Sequence, residues 1–488
     1  MRPPPFVKPE AGRLRIAECG LWNILSCKNL MKNSINWLRP LQKLLRKDDL
    51  ISDPARLAEY SGDKWFATHQ PQAVVLPRDT ESVSRILAFA NRHKVPVTAR
   101  GAGYGYVGGA VPMNGGIVLS LERMDRILEI NEKDFVAIVQ PGVITEKLQN
   151  AVEKKKLFYP PDPASRAHNF IGGNIATNAG GPRCLKYGVT RDYVLGLEVV
   201  LADGRILRLG GRTHKNKTGF DLVRLFVGSE GLLGVVTEAT LKLIPLPPFR
   251  ATLAAGFDSM SNAVRALQAI LAAGFLPCAL ELADQFTLAA AANYTKSRRL
   301  GVCKAHLIVE LDGQEKSVRG ELPQVEKIVR QFKPEFADHG LGEEECEKVW
   351  QIRRDFSFSL RATGLTKLNQ DIVVPRGRLE ELFAFAARLQ RQSGLQLACF
   401  GHAGDGNIHT NIMVDFEKPG AQERSEAALD ELFRWVLAHG GAITGEHGIG
   451  LAKKRWWPLS VSNEVRNVHG ELKRLLDPNG ILNPGKFV

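Results

Sequence analysis

No two of the seven cysteines stand in a CxxC pair, and the spacings among Cys19, Cys27, Cys184, Cys278, Cys303, Cys346 and Cys399 suit neither an iron–sulfur cluster nor a structural zinc. Odd in number and scattered, they read as reduced intracellular thiols rather than a disulfide framework. Any iron–sulfur relay must therefore come from a partner. Long apolar runs are missing too. Nothing approaches the roughly 18–20 residues that span a bilayer, so no transmembrane segment is expected. A soluble, cytoplasmic chain follows, at most peripheral to the inner face of the membrane. There is no low-complexity stretch, no internal repeat, and no basic stripe interleaved with aromatics. The formal charge is +13. Between Met1 and Lys47, however, ten Lys and Arg face only Glu10 and Glu18, a net of +8 in one terminal segment. Nucleic acid is not an expected partner. Arg2-Pro-Pro-Pro and the short apolar patch Leu21–Leu25 are too weak for a signal peptide. The reading adopted is an upstream start codon with Met31 as the true beginning; the alternative is a membrane-surface tail.

What is present is an ordinary globular composition, 44% hydrophobic and 24% charged, in 488 residues, too many for one core. From Ile51 to Pro248 short apolar strands alternate with helices and glycine-rich turns. Strands are expected at Ala73–Leu76, Val95–Ala99, Gly116–Leu121 and Val136–Val139, and helices at Thr80–His93 and Ile144–Lys156. Two strands should flank an Asp203-Gly204 turn. Leu246-Pro-Pro-Phe249 marks a boundary, after which longer elements suggest an antiparallel sheet with helices on one face. The division expected is 1–49, a basic segment; 50–248; 249–445; and 446–488, returning to the first domain.

Arg100-Gly-Ala-Gly-Tyr-Gly-Tyr-Val-Gly-Gly-Ala110 resembles a phosphate cradle, since glycines let consecutive N–H groups converge on an anion. It is not a Rossmann turn, because Val111-Pro-Met-Asn-Gly-Gly116 cannot open a helix. Alone it would equally be a structural turn. Three more small-residue loops accompany it: Pro161-Asp-Pro-Ala-Ser165, Ile171-Gly-Gly-Asn-Ile-Ala-Thr-Asn-Ala-Gly-Gly181 and Gly228-Ser-Glu-Gly-Leu-Leu-Gly234. A large cofactor with a pyrophosphate needs that many backbone donors and that little bulk.

The second half holds Phe400-Gly-His-Ala-Gly-Asp-Gly-Asn-Ile-His409 and Gly445-Glu-His-Gly-Ile-Gly450. Across a hairpin, His402 and His409 can meet on one face, and with Glu446 they make a His₂-carboxylate set with open positions for a divalent metal, zinc or similar. The plainer reading is a pair of histidines that stabilise a tight turn.

In the order of these loops the chain resembles FAD-linked oxidases of the vanillyl-alcohol oxidase type, the glycolate oxidase D-subunit and D-lactate dehydrogenase group. The resemblance runs from about residue 50 to Val488. It implies an α+β fold: a two-subdomain FAD-binding domain of the PCMH type, then an antiparallel-sheet substrate or cap domain of ferredoxin-like character. It implies FAD held by Arg100, Gly101, Ala102, Gly103, Tyr104, Gly105, Gly108 and Gly109, and by Gly172, Gly173, Asn174, Thr177, Asn178, Gly180 and Gly181. Pro161, Asp162, Ser165, Asp192, Gly234, Val235 and Val236 would line its flavin and adenine parts. The metal ligands would match His402, His409 and Glu446, with Asn411 and His447 beside the substrate and Arg353 clamping its carboxylate. Lys367 and Asn369 would lie toward the substrate's far end. The closing stretch Leu476–Phe487 would pack back on the FAD domain.

Tyr104 and Val107 depart from the family, which carries a small hydroxyl at the first and often serine at the second. Each lost phosphate hydrogen bond would cost ~0.5–1.5 kcal/mol unless backbone donors compensate. With no His or Cys in the glycine loop, non-covalent FAD is expected. The implied chemistry is oxidation of a D-2-hydroxy acid, such as D-lactate, glycolate or D-2-hydroxyglutarate. His447 would take the hydroxyl proton and hydride would pass from Cα to flavin N5. An iron–sulfur subunit, cytochrome or quinone would accept the electrons. The alternatives are a flavoprotein of this fold acting on a sugar or alcohol, and a non-catalytic FAD-binding electron-transfer subunit.

Overall fold

A computed structural model of the protein describes residues 36–488. Met31, Cys19, Cys27 and most of the basic segment lie outside the described residues. The first subdomain is a four-stranded sheet in the order Leu50–Ile51, Ala73–Val75, Ile117–Ser120, Val97–Arg100. Its last three strands are parallel, which requires a crossover. Helix Thr80–His93 supplies it, capped by Asp79 through the Ser82 N–H and burying Val83, Ile86, Leu87 and Ala90 on one face. The second subdomain is an antiparallel sheet in the order Ile127–Asn131, Val136–Val139, Val235–Lys242, Val194–Val200, Ile206–Gly210.

The Ile171–Gly181 stretch, expected as a loop, contains a helix over Ile171–Thr177, closed by Asn178 in the left-handed region. Its Ile171 and Ile175 are buried among Val143, Leu148 and Tyr193. Tertiary packing there overrides the poor helix propensity of Gly172 and Gly173.

The cap is a seven-stranded antiparallel sheet in the order Phe336–Leu341, Phe249–Phe257, Ala305–Gly313, Ala279–Asp284, Gln396–His402, Asn407–Val414, Thr366–Val373. Helices Met260–Ala272, Glu315–Arg330, Leu379–Ser393 and Ala421–Ala438 cover one face, seating Leu267, Val325, Phe385 and Leu432 against Leu253, Leu307, Leu397 and Ile412. Each such side chain contributes about 1.5–3 kcal/mol by burial. The expectation of helices on one face only is corrected. Helices Gln285–Thr295 and Gly342–Arg361 cover the other, with Leu288 and Phe356 packed on Ala398, Phe400 and Met413. Strands covered on both sides lose the alternating pattern that a half-exposed sheet would show, as the unbroken burial of Ala251–Phe257 illustrates.

After helix Asn463–Leu476 the chain returns to the first subdomain. The Asn483 N–H donates to the Val97 carbonyl (2.7 Å), and its Nδ2 donates to the carbonyls of Gly109 and Glu230. Buried Lys473 donates to the carbonyls of Leu232 (2.8 Å) and Leu482 (2.7 Å) and to Asp477 (2.6 Å). Lys473→Met should leave Asp477 with only the N–H groups of Ile481 and Leu482, and no cation, and lower stability by about 3 kcal/mol. A lowered Tm, with protease cleavage appearing first in the C-terminal segment, checks this; an unchanged Tm contradicts it.

Candidate active site

Strand register assembles the site. Glu281 stands directly opposite His402, His409 opposite Phe400, Asp371 opposite His409, and Asn369 opposite Asn411. Successive residues of a strand point to opposite faces. These polar residues therefore share the face covered by helix Gly342–Arg361, while Leu282, Ile372, Cys399 and Ile408 point into the main core. The hairpin turn between His402 and Asn407 depends on Gly406, whose φ is +87° and whose Cβ position lies 2.0 Å from the Val374 carbonyl oxygen.

Ligand atoms of His402, His409 and Glu446 lie within 4.8 Å of one another. His402 Nε2 is 3.2 Å from Glu446, and its Nδ1 is 2.5 Å from Glu281. Glu281 is 1% exposed and also accepts from Arg353 Nε at 2.5 Å. Burial opposes its charge, but His402 and Arg353 outweigh burial and hold it at about 2. For His402, burial is likewise outweighed, by Glu281 and Glu446, which push its pKa well above the usual value. The two carboxylates thus demand positive charge at this point, which a divalent cation would supply. Burial and then the His402 charge push His409 well below 6.5, the neutral form that ligates metals. Its Nδ1 is buried with no hydrogen-bond partner among the described residues. The donor set fits a cation held by two imidazoles and a carboxylate, with Glu281 as outer-shell carboxylate on His402.

The segment 444–450 presents Glu446 and His447. Asp371 Oδ2 accepts the Thr444 hydroxyl (2.9 Å) and the N–H groups of Gly445 (3.0 Å), Glu446 (2.9 Å) and His447 (2.9 Å). It also lies 3.7 Å from His447 Nδ1. Burial works against this carboxylate, yet His447, Lys453 and His409 bring its pKa well below the usual range. Burial lowers His447 below 6.5 against the pull of Asp371, favouring the neutral, proton-accepting imidazole. Two residues further on, Glu230 of the first domain accepts the N–H groups of Ile449 (2.7 Å) and Gly450 (2.8 Å).

A cavity of about 1350 Å³ runs from the glycine loops to these histidines. Arg100–Gly105, Gly109, Asp162, Ser165, Gly172–Asn174, Thr177, Gly180 and Gly234–Val236 line it. So do Arg353, Lys367, Asn369, His402, His409, Glu446 and His447. A Cβ built on Gly109 or Gly173 meets no atom within 4 Å, so both glycines open onto the cavity as a backbone cradle must. These walls fit a dinucleotide such as FAD.

Of the other expected residues, Asn411, Asp192, Asn178, Pro161, Gly108 and Gly181 do not face the cavity, whereas Val107 lines it. Asn411 is fully buried behind the site, its Nδ2 donating to the carbonyls of Ala398 and His409. Asp192 accepts the Val189 N–H, and Asn178 accepts the Arg191 N–H. The Pro161 carbonyl accepts from Gln149. Gly108 packs between Trp65 and Leu451, and Gly181 against the Asp162 carbonyl. The Val107 carbonyl accepts from Leu451 and Ala452.

Sequence reasoning missed Glu281, Asp371, Glu230 and Tyr106, the last with its ring 5.1 Å from that of His447. The available signal was a lone acid inside an apolar strand, as in Ala279-Leu-Glu-Leu-Ala283 and Gln370-Asp-Ile-Val-Val374. Lys367, pushed down to about 8 by burial and then by Arg361 and Arg353, donates to Ser357 Oγ at 3.0 Å.

Among known proteins, residues 71–210 match the family described as "FAD binding domain", and residues 246–487 match "FAD linked oxidases, C-terminal domain". The chain is 42% identical over 417 residues to glycolate oxidase subunit GlcD of Bacillus subtilis, covering 86% of this chain and 89% of the relative. It is 38% identical over 424 residues to a D-lactate dehydrogenase of Archaeoglobus fulgidus (85% and 91% covered). Identity is 34% over 476 residues to a D-2-hydroxyglutarate dehydrogenase of Stutzerimonas stutzeri (92% and 97%). The solved structure of p-cresol methylhydroxylase superposes with a TM-score of 0.77 at 20% identity over 93% of this chain and 96% of that one, a likeness of fold.

Replacing Glu281 by Gln should weaken zinc binding about 10- to 100-fold, read by competition against a chromophoric chelator. Unchanged affinity would remove Glu281 from the metal's surroundings.

Proposed function

The chain belongs to the FAD-linked oxidases and is an FAD-dependent 2-hydroxy-acid dehydrogenase, and on that footing we propose that its substrate is a D-2-hydroxy acid of the D-lactate, glycolate or D-2-hydroxyglutarate class, oxidised to the 2-oxo acid with the help of a divalent metal. The observation that carries the reading is the convergence of His402, His409 and Glu446 beside Arg353 and His447 at one end of a glycine-lined cavity. A hydroxyl next to a carboxylate uses both the donor set and the guanidinium of Arg353 beside it, whereas a sugar or simple alcohol would leave that guanidinium without an anion to pair.

When bound, FAD supplies a two-electron acceptor for the Cα hydride, and the metal at His402, His409 and Glu446 supplies Lewis acidity that favours the alkoxide form of the substrate. The rest falls to the chain's own side chains. Arg353, its Nε fixed by Glu281, turns a planar guanidinium toward the substrate carboxylate, a geometry suited to bidentate pairing. Neutral His447 accepts the hydroxyl proton, and Asp371 beside its Nδ1 orients the ring and stabilises the imidazolium that forms. Lys367 and Asn369 meet the substrate's far end. Asn411, behind His409, fixes that strand rather than touching substrate. The electrons leave to an iron–sulfur subunit, cytochrome or quinone, a role supported by the relative named as a subunit.

Anaerobic addition of each acid to the FAD-loaded protein should bleach the flavin's visible band with at least one of them. Bleaching should disappear after chelation and return with zinc or manganese. A yellow protein that no acid of the class bleaches would contradict the reading and favour a sugar or alcohol substrate.

A further inference from the structure

At the rim of the cofactor cavity, Tyr104 lies between two partners that the reading above leaves unused. Its ring stacks on the His168 imidazole, with centroids 5.1 Å apart and planes inclined by 17°. The Lys64 ammonium sits 4.4 Å from the Tyr104 ring centroid. All three residues line the cavity.

They come from three separate segments. Tyr104 is at the tip of the glycine loop that follows strand Val97–Arg100 in the first subdomain. His168 belongs to the turn before helix Ile171–Thr177 in the second, where Gly173 comes within 3.6 Å of the Cβ position of Gly101. Lys64 lies on a turn pinned to the glycine loop by its own N–H, which donates to the Gly105 carbonyl at 2.9 Å. Beside it, Arg100 Nη1 donates to the Gly62 carbonyl at 2.6 Å. The stack therefore joins the two walls between which a dinucleotide would lie, and it brings a second cation to the loop that would hold the phosphates.

We propose that Lys64, Tyr104 and His168 form a clasp that retains FAD. A small hydroxyl at position 104 would offer the cofactor one hydrogen bond; the tyrosine instead ties the two walls together and carries Lys64 over its ring. Aromatic pairs of this geometry and surface cation–π contacts each correspond to a few-fold in a binding constant. Because the stack joins the two walls of the cavity, its loss acts chiefly on the rate at which FAD leaves. The proposal rests on the FAD reading, but not on the identity of the substrate or on the metal.

The test compares the full-length protein with Tyr104→Ser, Tyr104→Phe and His168→Ala. FAD affinity is obtained by titrating apoprotein, and FAD release from the holoenzyme by flavin fluorescence after dilution. Tyr104→Ser, although it restores a small hydroxyl beside the glycines, should weaken FAD binding roughly three- to tenfold, chiefly through faster release. His168→Ala should do the same, and Tyr104→Phe should stay within about twofold of wild type. FAD bound as tightly or more tightly by Tyr104→Ser, or unchanged release from His168→Ala, would overturn the clasp. Should apo Tyr104→Ser melt below wild type, the exposed His168 position decides alone. A wild-type protein that binds no FAD would defeat the functional reading itself.

Discussion

One short segment, 444–450, is held from two sides by two buried carboxylates, and the site depends on that. Asp371 of the cap collects three consecutive N–H groups and a hydroxyl; the Gly448 N–H turns back to the Thr444 hydroxyl, and Glu230 of the first domain takes the N–H groups of Ile449 and Gly450. A charged acceptor bonded to several N–H groups is among the stronger polar arrangements in a protein interior. Lys453, also buried, donates to the carbonyls of Ile443 (2.8 Å) and Asp371 (3.1 Å) and completes the clamp. Glu446 and His447 thus reach the cavity on backbone that neither domain could hold alone.

The cap sheet separates two physical tasks by the parity of its strands. One face is aliphatic and supplies most of the domain's core. The other places Glu281, Asp371, His402 and His409 side by side and is roofed by the helix that carries Arg353. Buried charges are costly unless paired, and here each is paired: Glu281 with His402 and Arg353, Asp371 with the 444–447 segment and, more distantly, His447 and Lys453. One carboxylate, Glu281, links a candidate metal ligand to the candidate substrate clamp, so disturbance of either reaches the other.

Much of this was legible in the sequence, and the exceptions have physical causes. Helix Thr80–His93 is plain in the sequence because its period, its Asp79 cap and its basic last turn agree. The hairpin bearing His402 and His409 declared itself through Gly-Asp-Gly. Helix Gln285–Thr295 escaped notice because Leu288–Ala292 is apolar on every side and shows no helical face. Glu281 and Asp371 could not be paired with their histidines from sequence, since cross-strand neighbours lie 121 and 38 positions away and register appears only on folding. Asp192 ends a short 3-10 helix and Asn178 caps helix Ile171–Thr177, and each spends its side chain on a neighbouring backbone N–H rather than reaching the cavity.

In the proposed site the clamped segment supplies the carboxylate that completes a metal site at the cofactor's edge. That site is tested most directly by metal analysis and X-ray absorption on the purified, FAD-loaded protein. Close to one divalent ion per flavin is expected, with two imidazole nitrogens and carboxylate oxygen at roughly 2.0–2.2 Å, lost in Glu446→Gln. A fully flavin-loaded protein that oxidises a 2-hydroxy acid while carrying no metal, or a metal spectrum without imidazole donors, would contradict it.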